Sequence, residues 1–281
     1  MIPYPPRMTS STESGQSRIR AAFAHAKAQQ RCAVLPFVTA GYPTLDATAR
    51  LLCELPAAGA DLIEIGFPFS DPIADGPIIA ESMHHALQGG TTPDQIFELV
   101  RRVQPIVPVI AMVSISIVGR MGIEAFLRRA CEAGFSGFIV PDADPVTARE
   151  IAALTQTLNA GFCPLVAPTT TSTRLSELAA LSTGFIYLLA RAGVTGERTD
   201  APDIALRVKA LRAVSSSPIA AGFGIATAAH VRAVGEHADG AIVGSAIVRT
   251  MRDALATGSD AVTAAIDLVS SYRPASQLTQ L

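Results

Sequence analysis

Leu62-Ile63-Glu64-Ile65-Gly66-Phe67-Pro68-Phe69-Ser70-Asp71-Pro72-Ile73-Ala74-Asp75-Gly76-Pro77 begins as a short apolar run, interrupted only by Glu64, and continues into glycines, prolines and carboxylates. An apolar run without alternation is the pattern of a strand buried on both faces. The same unit recurs on either side of it. Runs at 34–39, 62–66, 108–112, 137–141, 163–167, 185–189, 218–221 and 240–243 make eight, and most stop at Gly, Pro or Asp. Amphipathic stretches of helical length lie between them. Residues 47–58 place Ala49, Leu52, Cys53 and Leu55 on one face; residues 123–133 place Phe126, Leu127 and Ala130 together, with Gly134 as a C-cap. Pro145 opens another helix and Thr227 starts the next to last. Strands and helices in strict alternation predict a parallel sheet. Eight such units predict an α/β fold of the (β/α)8 TIM-barrel type. The rival is an open doubly wound sheet, which usually has fewer strands and an early G-x-G-x-x-G; none follows the first run.

The 281-residue length suits one barrel, typically about 250 residues. With no linker or break in composition, residues 16–272 read as one domain. An extra helix at 16–30 is placed to cap the bottom of the barrel, and another is expected at 260–271. Residues 1–15, polar and rich in Pro and Ser, read as a flexible segment, and 273–281 as a loose tail. Hydrophobic residues make up 49% and the net charge is −2. A large core is affordable, and without a basic face nucleic acid is not the expected partner. An anionic ligand must therefore be held by local groups. No apolar run reaches the ~18 residues of a membrane span, and no signal-type stretch opens the chain. Cys32, Cys53, Cys131 and Cys163 fit no metal spacing and read as reduced thiols of a cytoplasmic protein.

Barrel chemistry sits at the C-terminal ends of the strands. Alternation along 62–66 puts Leu62 and Glu64 on one side and Ile63 and Ile65 on the other. A carboxyl turned into the barrel mouth is desolvated, its pKa rises, and it suits general acid–base work. The alternative is a structural glutamate paired with an arginine on a neighbouring strand. Asp71 reads equally as a turn initiator, and Asp75 as the turn and cap of the next helix. What singles out Asp75 is its place on a loop that can lie opposite Glu64, since two carboxyls in different surroundings can divide acid and base roles.

Three later loops read together as an anion site: Gly193-Val194-Thr195-Gly196, Gly222-Phe223-Gly224-Ile225-Ala226 and Gly244-Ser245. Glycines let backbone N–H groups approach phosphate oxygens, and Ser245 stands where a helix begins. The two lysines, Lys27 and Lys209, and the five histidines, His25, His84, His85, His230 and His237, all fall away from strand ends. The histidines fit solvated helix positions. A Schiff-base or metal-dependent aldolase is disfavoured, and no metal is expected.

In these residues the chain resembles the tryptophan synthase alpha chain family. The resemblance is carried by Leu35-Pro36-Phe37-Val38-Thr39-Ala40-Gly41-Tyr42-Pro43, by the segment E-x-G-x-P-F-S-D-P-x-A-D-G-P from Glu64 to Pro77, by Tyr187-Leu188-Leu189-Ala190-Arg191-Ala192-Gly193-Val194-Thr195-Gly196, by Gly222-Phe223-Gly224-Ile225 and by Gly244-Ser245-Ala246-Ile247-Val248. It implies cleavage of indole-3-glycerol phosphate to indole and glyceraldehyde 3-phosphate without a cofactor on this chain. It implies that Glu64 shuttles protons, that Asp75 holds the indole N–H, and that Tyr187 lines the active site. It further implies that Gly196, Gly224, Gly244 and Ser245 bind the phosphate, that Phe37, Ile139, Phe223 and Ile242 surround the indole, and that Thr195 closes over the site with Asp75. The partner it implies is a beta chain carrying pyridoxal phosphate, in an alpha2-beta2 heterotetramer.

Two loops depart from the family pattern. Where relatives show M-T-Y-Y-N-P, this chain has Met112-Val113-Ser114-Ile115-Ser116-Ile117, and after Pro141-Asp142 the usual Leu-Pro is Ala143-Asp144. In the family these loops face the beta chain. Three readings stay open: an alpha chain with its own matching partner, a stand-alone lyase that releases indole, and a catalytically weak barrel kept as an activator of a beta chain.

Overall fold

The computed structural model describes residues 13–71, 76–190, 204–222 and 224–273. Among them nine parallel strands form one sheet: β1 (Ala33–Thr39), β2 (Ile63–Gly66), β3 (Val109–Met112), β4 (Gly137–Ile139), β5 (Gly161–Phe162), β6 (Leu165–Val166), β7 (Ile186–Leu189), β8 (Ile219–Gly222) and β9 (Gly240–Val243). Seven of the eight expected runs are found within a residue or two. The fifth, expected at 163–167, is instead two short pieces. β5 pairs with β4 and β6 pairs with β7, while Cys163 N–H still donates to Phe138 O at 2.9 Å and Pro164 O accepts from Tyr187 N–H at 3.0 Å. Pro164 has no N–H to give, so the ladder breaks there without the chain leaving its place between its neighbours. The two pieces act as one barrel strand and close an eight-membered (β/α)8 ring.

Helices α1 (Gly15–Ala28), α2 (Leu45–Ala58), α3 (Pro77–Gln88), α4 (Pro93–Val103), α5 (Ile115–Met121), α6 (Ile123–Ala133), α7 (Pro145–Thr157), α8 (Ser172–Leu181), α9 (Ala205–Arg212), α10 (Ala228–Gly235), α11 (Ser245–Ala256) and α12 (Ala261–Ser270) surround it. Their starts follow from local chemistry. Thr44, Thr92, Asp144, Thr171, Thr227 and Asp260 each cap a helix with a side-chain oxygen, and Pro77, Pro93 and Pro145 occupy first turns where a missing N–H costs nothing. Gly59 and Gly134 end α2 and α6 in the left-handed region. Among the described residues, no helix is long and apolar enough to cross a membrane.

Strand parity sorts the core into two nested parts. Leu35, Leu62, Ile110, Ile139, Cys163, Phe185, Tyr187, Ala220 and Ile242 form an inner cluster. Their neighbours one residue along, such as Val34, Ile63, Ile65, Ala111, Phe138 and Ile186, pack outward against the helices. Helix α1 plugs the N-terminal end: Ile19, Phe23 and Ala26 join the inner cluster, Phe23 meets Phe185 at 5.6 Å between ring centroids, and Arg18 donates to Pro105 O and Val107 O. At the same end Asp61 accepts the β1 N–H of Val34 at 2.9 Å and two bonds from Arg31 at 2.6 and 2.7 Å. Asp239 repeats the device for Ile219 on β8, at 2.7 Å. One end of the barrel is thus closed by polar pairs and a helix, leaving the other for chemistry.

Candidate active site

Glu64 is the second residue of β2 and is fully buried. Leu62 belongs to the inner cluster and Ile63 and Ile65 to the outer one, so alternation turns Glu64 inward. Its register partner on β3 is Ile110, also of the inner cluster. Among the described residues neither carboxyl oxygen has a hydrogen-bond partner, and the arginine pairing expected of a structural glutamate is not there. Burial raises its pKa well above the usual carboxylate range. Such a group keeps its proton to a higher pH than a solvated carboxyl and can return it, as acid–base chemistry requires.

Of the apolar residues singled out in the sequence, Phe37, Ile139 and Ile242 are buried. Phe37 is the register partner of Glu64 on β1, and the Phe37 ring lies so close over Gly66 that a Cβ there would overlap it. Ile139, Tyr187 and Ile242 belong to the inner cluster with Ile110 and Leu62. Tyr187 stacks its phenol on Gly222, where a Cβ would collide with the ring and hydroxyl. Asp75, Thr195, Gly196 and Phe223 lie outside the described residues. Sequence reasoning missed Cys163. Its thiol is buried in the inner cluster, and burial, with the charge of Glu64 adding to it, pushes its pKa up. Its parity was not legible because the strand breaks one residue later.

The loops after β8 and β9 supply backbone geometry suited to an anion. Gly224 has φ +79°, a conformation that side chains resist. Gly244 is the N-cap of α11 and contributes no capping side chain, so the amides of the first turn, beginning at Ser245, are left to another acceptor. Next to the β8 loop, His230 is buried, not solvated as its helix position suggested. Its Nδ1 accepts from Ala226 N–H at 3.3 Å.

The two departing loops are joined to each other. Ser114 Oγ donates to Asp142 Oδ2 at 2.6 Å, and Ile115 N–H to Asp142 Oδ1 at 2.8 Å. Ser114 Oγ also accepts from Ser116 N–H at 3.2 Å and so begins α5, a helix the sequence reading did not anticipate, and Asp144 caps α7.

Known proteins match this chain over most of its length. The family described as "Tryptophan synthase alpha chain" matches residues 23–276. The tryptophan synthase alpha chain of Prochlorococcus marinus (strain NATL2A) is 42% identical over 242 residues, covering 85% of this chain and 89% of that one. That of Gloeobacter violaceus is 41% identical over 250 residues, covering 87% and 90%. Among solved structures, a Mycobacterium tuberculosis tryptophan synthase chain superposes with TM-score 0.83 at 31% identity, covering 92% of this chain and 97% of that one. The tryptophan synthase alpha chain of Legionella pneumophila does so with TM-score 0.83 at 30% identity, covering 94% and 99%.

Proposed function

This chain belongs to the tryptophan synthase alpha chain family, and from that premise we propose that it is a lyase cleaving indole-3-glycerol phosphate to indole and glyceraldehyde 3-phosphate by general acid–base catalysis. The observation that carries the reading is Glu64: a buried, inward carboxyl with neither oxygen satisfied among the described residues, in an apolar cup. A proton delivered by Glu64 to ring C3 makes the indole an iminium-like electron sink. Asp75, hydrogen-bonded to the ring N–H, stabilises that positive charge. The glutamate, now ionised, takes the proton of the glycerol hydroxyl next to the ring. The C–C bond breaks, its electron pair returns to the ring, and aldehyde and indole separate with all atoms accounted for.

Phe37, Ile139, Phe223 and Ile242 hold the indole, Tyr187 flanks the reacting atoms, and Thr195 closes over them. Gly196, Gly224, Gly244 and Ser245 anchor the phosphate through backbone amides. Residues 16–272 act as one domain in the cytoplasm, paired with a beta chain as an alpha2-beta2 heterotetramer, and the pyridoxal phosphate belongs to that beta chain. A stand-alone, indole-releasing lyase is the second reading, favoured by one observation. Ser114 and Asp142 bind each other across the loops at which relatives carry Tyr, Asn-Pro and Leu-Pro.

The test is indole release from indole-3-glycerol phosphate by the purified chain, with and without the beta chain of its own genome. Glu64→Gln or Asp75→Asn is expected to remove most turnover, roughly a hundredfold or more, while the fold persists. Activity of either variant within a fewfold of the parent sinks the assignment. Full turnover without a beta chain decides for the second reading. Strong activation of the beta chain with negligible cleavage decides for an activator.

A further inference from the structure

Ala226, between β8 and α10, is gripped through both of its backbone polar groups by side chains. Its N–H donates to Nδ1 of His230 at 3.3 Å, and its carbonyl accepts from the Tyr272 hydroxyl at 3.1 Å. His230 is the third residue of α10. Thr227, the cap, accepts the His230 N–H at 3.2 Å, and the imidazole reaches back past the cap to the residue before it. An imidazole accepting at Nδ1 carries its proton on Nε2. Tyr272 comes from elsewhere: it follows α12, lies 46 residues away, and is 4% exposed. Ile225, 3% exposed, anchors the loop between Gly224 and Ala226.

Backbone amides bind an anion well only when they are oriented before it arrives. Gly224 gives the loop its left-handed turn but also the freedom to leave it. The two bonds on Ala226 remove that freedom two residues downstream. A helix cap alone would account for His230; it does not account for a tyrosine from beyond the C-terminal helix holding the carbonyl of the same residue.

We propose that His230 and Tyr272 are positioning residues for the substrate phosphate, holding residues 224–226 in an anion-binding shape so that the segment after α12 contributes to phosphate affinity. The proposal rests on the reading of this loop as part of the phosphate site. Its test is binding of inorganic phosphate, sn-glycerol 3-phosphate and indole to the full chain by titration calorimetry, alongside steady-state cleavage of indole-3-glycerol phosphate. Tyr272→Phe and His230→Ala are expected to weaken both phosphate ligands, and to raise KM, by roughly three- to tenfold, the loss of one hydrogen bond that orders a loop. Indole affinity and kcat should stay within about twofold. His230→Asn, which returns an acceptor oxygen near the Nδ1 position, is expected to recover most of the loss. Wild-type KM and phosphate affinity in both deletion variants would overturn the positioning role, as would weakening shared equally by indole. A parent chain that binds neither phosphate nor glycerol phosphate would instead overturn the loop as a phosphate site.

Discussion

Replacing Glu64 by glutamine should make the protein more stable, and increasingly so as the pH rises. In the unfolded chain this carboxyl ionises in the usual range. In the folded chain, buried with neither oxygen satisfied among the described residues, it holds its proton to a higher pH. Below the ordinary carboxylate pKa both states are protonated and no penalty exists. Between the ordinary and the raised value the native state binds the extra proton, so stability falls as pH rises, by about 1.4 kcal/mol per pH unit when the window is fully open. Above the raised value the loss is complete and the curve flattens. Glutamine has the same shape and no ionisation, so it removes this slope. The stability gap between Glu64→Gln and the parent is therefore expected to be small near pH 4 and to grow toward pH 8. Its size there should be on the order of 1–3 kcal/mol, the slope of about 1.4 kcal/mol per pH unit carried over one to two units. That corresponds to a rise in Tm of roughly 3–10 °C for a domain of this size. Urea unfolding of both proteins at pH 4.5, 5.5, 6.5 and 8, followed by circular dichroism, measures the gap. Parallel pH profiles, or a variant less stable than the parent at pH 8, would refute the reasoning, because the carboxyl would then have partners or face water.

Two further substitutions test the frame around the site. Gly222→Ala places a methyl 2.8 Å from Tyr187 Cζ and 2.9 Å from Cε1, so the phenol must move. Overpacking of this kind costs about 1–3 kcal/mol, and kcat for indole release should fall. A double-mutant cycle with Tyr187→Phe should show the two changes to be coupled, and strict additivity of their effects on Tm would count against the contact. Asp61→Ala removes the partner of both Arg31 and the Val34 N–H at the opposite end of the barrel. It is expected to cost about 3 kcal/mol, read as a lower urea midpoint, with kcat unchanged; loss of turnover at temperatures where the variant is folded would contradict the separation of stabilising and reacting ends.

The local pattern of residues determined a great deal. Strands buried on both faces must be apolar throughout, so eight such runs separated by helical stretches announced the parallel barrel. The two-residue period of a strand placed Glu64 on the side of Leu62, and the helices opened at their caps and prolines because those groups satisfy first-turn amides locally. Other features depend on which distant elements meet, and only the tertiary structure decided them. The fifth strand breaks at Pro164 yet stays in the ring because both neighbours still bond to it. Cys163 stands near Glu64 through ring closure, not spacing. His230 is buried although its helix position reads as solvated, because its ring turns back to accept from the Ala226 N–H. Ser114 and Asp142, on different loops, meet because adjacent strands deliver them to the same rim. A sequence records what each residue does within its own turn or strand; contacts across 28 or 46 residues are fixed by closure of the barrel and the packing of helices around it, which no local period encodes.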